Sequence, residues 1–152
     1  MEYLIGILLA LGICLGAAVV GLTRDRAFYP TMVIVIALYY ALFAMIGDSI
    51  RTLMPEMAGI AVFVLLAVVG FRRNLWYAVG ALALHGVFDW FHAGLIANPG
   101  VPAWWPGFCL AFDVVAAAIL AVALFSRRAR ARPDQHARRD AEHAPAGAAE
   151  VR

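Results

Sequence analysis

The sequence predicts an all-α fold, a polytopic transmembrane helical bundle of about five helices. Of its 152 residues, 64% are hydrophobic and only 14% are charged, and the mean hydropathy is +0.84. A soluble domain keeps about a quarter of its residues charged, because polar side chains must cover its core. The charged residues here fall in short groups between long apolar stretches. Those stretches need lipid as their solvent, which excludes an ordinary soluble enzyme.

Five apolar stretches come close to the length of about 20 residues that a helix needs to cross a bilayer. They are predicted at about 3–22, 30–48, 56–71, 75–97 and 104–125. Asn98-Pro99-Gly100 is a strong turn signal between the fourth and fifth spans. The third span is the shortest, and we expect Arg51 to Pro55 to connect it to the second span. It could gain a turn by taking in Glu56 at its polar end. Residues 1–126 thus form one transmembrane domain.

Gly12 and Gly16 lie four residues apart in the first span. Small residues at this spacing let helix backbones approach closely within a membrane. The pattern is common and non-specific.

The C-terminal segment 127–152 has a different composition from the rest of the chain. It mixes Arg, Ala, Asp, Glu, Pro and His with almost no large apolar residue. Such a segment cannot bury enough apolar surface to fold alone, so we predict a disordered basic cytoplasmic tail. Its arginines favour attraction to anionic lipid. Nucleic-acid binding is not expected, because acidic residues are interleaved with the arginines.

The arginines predict how the bundle is oriented, because basic residues near span ends remain in the cytoplasm. With five spans, the loops after the first and third spans and the tail lie on one side of the membrane. That side carries every arginine but one, and those close to the span ends are Arg24, Arg26, Arg72, Arg73, Arg127, Arg128, Arg130 and Arg132. The opposite side has only Arg51. We therefore expect the N-terminus outside and the C-terminus inside (N-out/C-in), in a multi-pass protein of the inner (plasma) membrane.

Polar residues are concentrated in the fourth span. His85, Asp89 and His92 follow the spacing i, i+4, i+7, which places them within about 60° on one helical face. Asp113 lies in the fifth span, and Asp48 ends the second. With a rise of about 1.5 Å per residue, the two histidines, Asp89 and Asp113 lie roughly 6 to 16 Å below the outer surface. All these residues therefore fall in the outer half of the bundle.

One hypothesis is that this constellation binds a metal such as zinc, through His85, Asp89, His92 and Asp113. Imidazole and carboxylate groups suit zinc or iron, and a free coordination position would hold a water of lowered pKa. The protein would then be a metal-dependent hydrolase of a lipid or other amphipathic substrate from the outer leaflet. Asp89 would serve as a ligand or general base, and Asp48 would lie at the mouth of the site.

The alternative is a non-enzymatic accessory or assembly protein whose His/Asp cluster is a structural helix lock, a set of hydrogen bonds that holds helices together. A proton or ion path is disfavoured, because the cytoplasmic half of the bundle lacks polar groups. Haem ligation by two histidines is a weaker alternative, because such ligands usually lie on facing helices and both histidines here share one helix. Tyr39 and Tyr40 are interpreted as core aromatics rather than catalytic phenols. The two cysteines, Cys14 and Cys109, are interpreted as small buried hydrophobes.

The segment from His85 to Asp113 carries a resemblance. Its His85, Asp89 and His92, the Asn-Pro-Gly-Val-Pro loop, Trp104-Trp105-Pro106, Cys109 and Asp113 resemble the pattern of a family of small bacterial integral-membrane proteins of unknown function. The resemblance covers about 30 residues closely and implies a shared architecture without an activity.

A more distant similarity is to the alkaline ceramidase-like membrane hydrolases, which hold zinc with histidines and an aspartate among transmembrane helices. Those enzymes have seven spans, a closer histidine spacing and an additional serine. The similarity therefore implies analogous chemistry at His85, Asp89, His92 and Asp113 and does not imply common descent.

Overall fold

The chain is helical throughout most of its length. The computed structural model describes residues 1–47 and 50–142, with side chains as far as residue 130. The described residues contain five α-helices and no strand, which confirms the predicted all-α fold. The helices are α1 (Glu2–Val19), α2 (Phe28–Ile46), α3 (Ile50–Arg72), α4 (Trp76–Leu95) and α5 (Trp105–Glu142). Between α1 and α2, Gly21 takes a left-handed conformation with φ 85°, which favours glycine.

The chain divides into two compact units, Met1–Ala121 and Val122–Arg152. The first unit contains α1 to α4 and the beginning of α5. In the second unit, helix extends to Glu142, past the predicted end of the fifth span near residue 125. The Ala- and Arg-rich sequence there has a high intrinsic helix propensity. Residues 143–152 lie outside the described residues, so disorder of this last part of the tail stays a prediction. Asp48, which was predicted to end the second span, also lies outside the described residues.

Helix α3 begins at Ile50 rather than near residue 56, so it includes the segment predicted to be a connection. Pro55 lies within its second turn and removes only one backbone hydrogen bond there. The hydroxyl of Thr52 donates to the carbonyl oxygen of Ala97 at 3.1 Å, which fixes this first part of the helix. The earlier start places Glu56 inside the helix and inside the bundle, where it is 1% exposed.

Four of the five helices are long and apolar enough to cross a membrane, judged by length and composition. They are α1, α2, α3 and the segment Trp105–Arg130 of α5. Helix α4 has 20 residues, which is also long enough. It falls short in hydropathy because His85, Asp89 and His92 lie within it. These three side chains are buried, so α4 presents them to the other helices and not to the outside.

Polar and apolar side chains are distributed in the reverse of a soluble protein. The exterior carries large apolar side chains such as Leu8, Leu65 and Phe91, each more than half exposed. The buried ionisable side chains are Glu56, His85, Asp89, His92 and Asp113, all at most 2% exposed. An apolar exterior around a polar interior is the arrangement that a lipid environment favours.

Two contacts show which loops share an end of the bundle. The guanidinium of Arg26 donates to the carbonyl oxygen of Gly70 at 3.4 Å, so the link before α2 and the end of α3 lie together. At the other end, Thr52 bonds to Ala97 in the loop between α4 and α5. The loops that carry the paired arginines are therefore at one end, and the beginning of α3 is at the opposite end.

Helix α1 meets α5 most closely at Gly6. A Cβ added at Gly6 would overlap the carbonyl oxygen of Phe108 and lie 3.1 Å from the Ala111 Cβ. By contrast, a Cβ at Gly12 or Gly16 would have nothing within 4 Å. The glycine pair in the sequence therefore does not mark the helix contact, and Gly6 does.

We expect Gly6→Ala to lower the thermal stability of the detergent-purified protein, because overpacking of this kind costs about 1 to 3 kcal/mol. Gly12→Ala is the matched control in the same helix and should unfold at or slightly above the wild-type temperature, since it meets no neighbour and removes a flexible residue. Thermal unfolding followed by circular dichroism measures both. Equal melting temperatures for the two variants would contradict the assigned contact.

Candidate metal centre

Three buried ionisable groups converge between α4 and α5. His85 and Asp89 lie one turn apart on α4, and Asp113 lies on α5. The Nδ1 atom of His85 is 2.8 Å from Asp113 Oδ2 and 3.2 Å from Asp89 Oδ2. Their side chains are 2%, 0% and 0% exposed. We call His85, Asp89 and Asp113 the His85 cluster.

Gly86 explains why α4 and α5 come close enough to form this cluster. A Cβ at Gly86 would lie 3.3 Å from the Asp113 Cβ and 3.4 Å from the Leu110 backbone. Any side chain there would press against α5 at the level of the cluster. The glycine next to His85 therefore lets the two helices bring His85 and Asp113 within hydrogen-bonding distance.

Tyr40 on α2 joins the His85 cluster from a third helix. Its hydroxyl donates to Asp89 Oδ1 at 2.5 Å, and the residue is 2% exposed. Its ring also stacks on His92, with the ring centroids 4.1 Å apart and the planes at 27°. Tyr40 is therefore both a core aromatic, as the sequence indicated, and a polar partner of Asp89, which the sequence did not reveal.

A second polar group lies nearer the loop between α4 and α5. Glu56 Oε1 on α3 is 2.8 Å from His92 Nε2 and accepts a hydrogen bond of 2.8 Å from the Asn98 amide. The same amide donates to the Tyr40 carbonyl oxygen at 3.3 Å. Glu56 and His92 are each 1% exposed. We call Glu56, His92 and Asn98 the Glu56 cluster.

Hydrogen bonding within the His85 cluster is incomplete. One N–H at His85 Nδ1 points to a single carboxylate, and Asp113 Oδ2 is the nearer acceptor. His85 Nε2, Asp89 Oδ2 and Asp113 Oδ1 are buried and have no hydrogen-bond partner among the described residues. Buried polar atoms are normally paired. The unpaired atoms therefore distinguish this cluster from a fully satisfied set of hydrogen bonds.

The His85 cluster brings together ligand atoms that could hold a metal ion. One ligand atom from each of His85, Asp89 and Asp113 lies within 4.8 Å of the others. Two ligands at about 2.0 to 2.1 Å from a tetrahedral zinc are about 3.3 Å apart. The separations of 2.8 and 3.2 Å around Nδ1 are close to that value. Small changes in the distances between the three ligand atoms would allow a cation to bind among them.

The structure sorts the predicted site residues into two groups. His85, Asp89 and Asp113 come together, whereas His92 is bonded to Glu56 and stacked on Tyr40, although it shares a face of α4 with the other two. Sequence reasoning missed Glu56 as a buried partner, because the third span was expected to begin there. Its signal was that it is the one acidic residue within the apolar stretch of that span.

An apolar groove runs beside the His85 cluster between α1, α2 and α5. It encloses about 570 Å³, and its lining includes Leu9, Phe28, Tyr39, Trp105, Cys109 and Phe112. Cys109 belongs to this wall and its thiol also interacts with Asp89. Cys109 is thus a neighbour of both the groove and the cluster.

Comparison with known proteins gives no match: no family model, curated protein sequence or solved structure is significantly similar to this chain.

We expect Tyr40→Phe to destabilise the protein, because it leaves Asp89 Oδ1 buried without its donor, a loss worth about 1 to 3 kcal/mol. The neighbouring Tyr39 is 39% exposed and packs on Trp105 with ring centroids 5.1 Å apart. Tyr39→Phe keeps that ring contact and is the matched control, expected to stay within about 0.5 kcal/mol of wild type. Thermal unfolding in detergent checks the pair. A Tyr40→Phe variant as stable as Tyr39→Phe would show that the hydroxyl does not support Asp89.

Proposed function

We propose that this chain is an integral membrane protein whose His85 cluster binds a divalent metal, most suitably zinc, and thereby fastens α4 to α5 within the membrane. The observation that carries the proposal is the convergence of three ligand atoms from His85, Asp89 and Asp113 within 4.8 Å of one another, in an almost fully buried position. The partner that we propose is the lipid bilayer, which surrounds the helical bundle. The protein acts here as a structural membrane component rather than as an enzyme.

The charges of the cluster support a cation. Two carboxylates lie at 0% exposure, and a protonated His85 supplies only one positive charge. Burial of uncompensated charge costs several kcal/mol in protein and membrane interiors. A divalent ion bound by two carboxylates and a neutral imidazole is electrically neutral. It also occupies the lone pairs of Asp89 and Asp113 that no hydrogen bond uses.

The ligand types favour zinc over the harder cations. Magnesium and calcium prefer all-oxygen sites with six or more ligands, whereas zinc accepts nitrogen and oxygen at a coordination number of four. Iron remains compatible with imidazole and carboxylate ligands. A site with one imidazole and two carboxylates on adjacent helices therefore suits zinc best.

Metal content of the purified protein tests this proposal. We expect about one zinc per chain in wild type, an almost complete loss in His85→Ala, and retention in His92→Ala. The second variant is the control, because His92 lies on the same face of α4 but bonds to Glu56. Elemental analysis of monodisperse, detergent-purified samples provides the readout. Wild type without stoichiometric metal, or His85→Ala with the same amount, would overturn the metal centre. Equal loss in both variants would place His92 among the ligands.

A second candidate function is hydrolysis of a lipid or amphipathic substrate from the outer leaflet. It is favoured by the number of protein ligands, because three ligands leave the fourth position that catalytic zinc uses for water. The apolar groove also passes next to the cluster, and Cys109 is a neighbour of both. In this reading Asp89 is one of the three ligands, and Asp48 is the residue that the sequence predicts at the mouth of the site. The analogy to alkaline ceramidase-like hydrolases belongs to this candidate, and the identity of the fourth ligand decides it.

The location that we propose is the inner (plasma) membrane of a bacterium, with the N-terminus outside. The arginine distribution supports this orientation. The bond between Arg26 and Gly70 adds support, because it brings the two arginine-bearing loops to one end. The His85 and Glu56 clusters would then lie toward the outer surface.

Reporter fusions test the orientation in cells. We expect alkaline phosphatase inserted at the Asn98-Pro99-Gly100 loop to be active, since that enzyme works only outside the cytoplasm. A fluorescent protein fused after residue 152 should fluoresce, and phosphatase fused at the same point is the matched control and should be inactive. The reverse pattern would invert the proposed topology.

A further inference from the structure

We propose that Cys109 is a fourth ligand of the metal bound by the His85 cluster. The inference rests on the proposed metal centre and goes further, because it specifies how the coordination shell is completed. Sequence reasoning treated Cys109 as a small hydrophobe, and nothing in its spacing from Cys14 suggested a paired role.

The first support is the register of the two helices. On α4, His85 precedes Asp89 by one turn, and on α5, Cys109 precedes Asp113 by one turn. Residues at i and i+4 share one helical face. The two potential ligands of each helix therefore share one face of that helix, and α4 and α5 approach closely at Gly86.

The second support is the surroundings of the thiol. Cys109 is 2% exposed and interacts with the Asp89 side chain. Asp89 Oδ2 and Asp113 Oδ1 are both buried and have no hydrogen-bond partner within the part of the chain that the structure describes. The thiol therefore lies beside a carboxylate with an unused lone pair. Cys109 is outside the set of atoms within 4.8 Å of one another, so ligation requires its side chain to turn toward His85.

The other cysteine provides an internal contrast. Cys14 on α1 is equally free and 0% exposed, but its thiol interacts with Tyr29 rather than with an acidic residue. The two cysteines therefore match in burial and redox state and differ in their neighbours. Any effect that depends on proximity to the His85 cluster should therefore appear when Cys109 is substituted and not when Cys14 is substituted.

Ligation by Cys109 changes the chemistry of the centre. The S–H bond breaks, a sulfur–metal bond forms and the proton leaves to the buffer. The four-ligand site then carries one net negative charge, which the hydrogen bond donated by Tyr40 to Asp89 partly offsets. A thiolate selects zinc over magnesium, calcium or manganese. Four protein ligands also close the shell in the manner of structural zinc sites, leaving no position for a catalytic water.

Cobalt substitution tests the proposal on the full-length protein in detergent. Co²⁺ replaces zinc in such sites and gives a near-ultraviolet sulfur-to-cobalt charge-transfer band only when a thiolate is bound. We expect the band in wild type and in Cys14→Ser, and its absence in Cys109→Ser. The latter should still bind cobalt through three ligands, with an affinity lower by at least about tenfold.

Each outcome is decisive. Bound cobalt without the band in wild type would exclude Cys109 as a ligand while leaving the metal centre intact, and the open position would then favour the hydrolase. Loss of the band in Cys14→Ser but not in Cys109→Ser would also overturn the assignment. Absence of both cobalt and native metal in folded wild type would overturn the metal centre itself. Circular dichroism and size-exclusion profiles confirm that each variant is folded.

Discussion

The burial of three carboxylates and two histidines on α3, α4 and α5 is the constraint on which the rest of this structure depends. Glu56, Asp89 and Asp113 are carboxylates in positions where neither water nor lipid can solvate them. Each must find a donor or a cation inside the bundle, and each finds its partner on another helix. The mutual placement of the helices in the first unit is therefore specified by polar contacts, while lipid-facing apolar side chains contribute little specificity.

Tyr40 has a central place in that arrangement. Its hydroxyl reaches Asp89 in the His85 cluster, and its ring covers His92 in the Glu56 cluster. One residue of α2 thereby touches both polar groups. Side chains in a packed core have few alternative positions, so a displacement of α2 would disturb both clusters together. We regard the two clusters as one connected polar interior. The His85 cluster is the candidate metal site, and the Glu56 cluster is a set of hydrogen bonds near the loop between α4 and α5.

Much of this could be read from the sequence, because hydropathy and helical period are local properties. The five helices follow from apolar runs and arginine-bearing breaks, and the shared face of His85 and Asp89 follows from their spacing. The start of α3 was missed, because Pro55 and Arg51 resemble a loop, and with it the burial of Glu56. The Glu56 partner of His92 was missed for a related reason. A face on one helix does not reveal which neighbouring helix meets it, and here Glu56 meets His92 while Asp113 meets His85.

The low hydropathy of α4 has a consequence for how the protein is made. An aspartate at the centre of a single helix costs about 2.5 to 3.5 kcal/mol on membrane-insertion scales, and α4 carries two histidines in addition. Asp89 has its donor in Tyr40 and His92 has its partner in Glu56, both of which emerge from the ribosome earlier. The partner of His85 is Asp113, which emerges later. Helix α4 therefore gains its full preference for the bilayer only once α5 has been synthesised. The two helices should leave the insertion machinery as a pair, and the short turn at Pro99 and Gly100 would hold them together until they do.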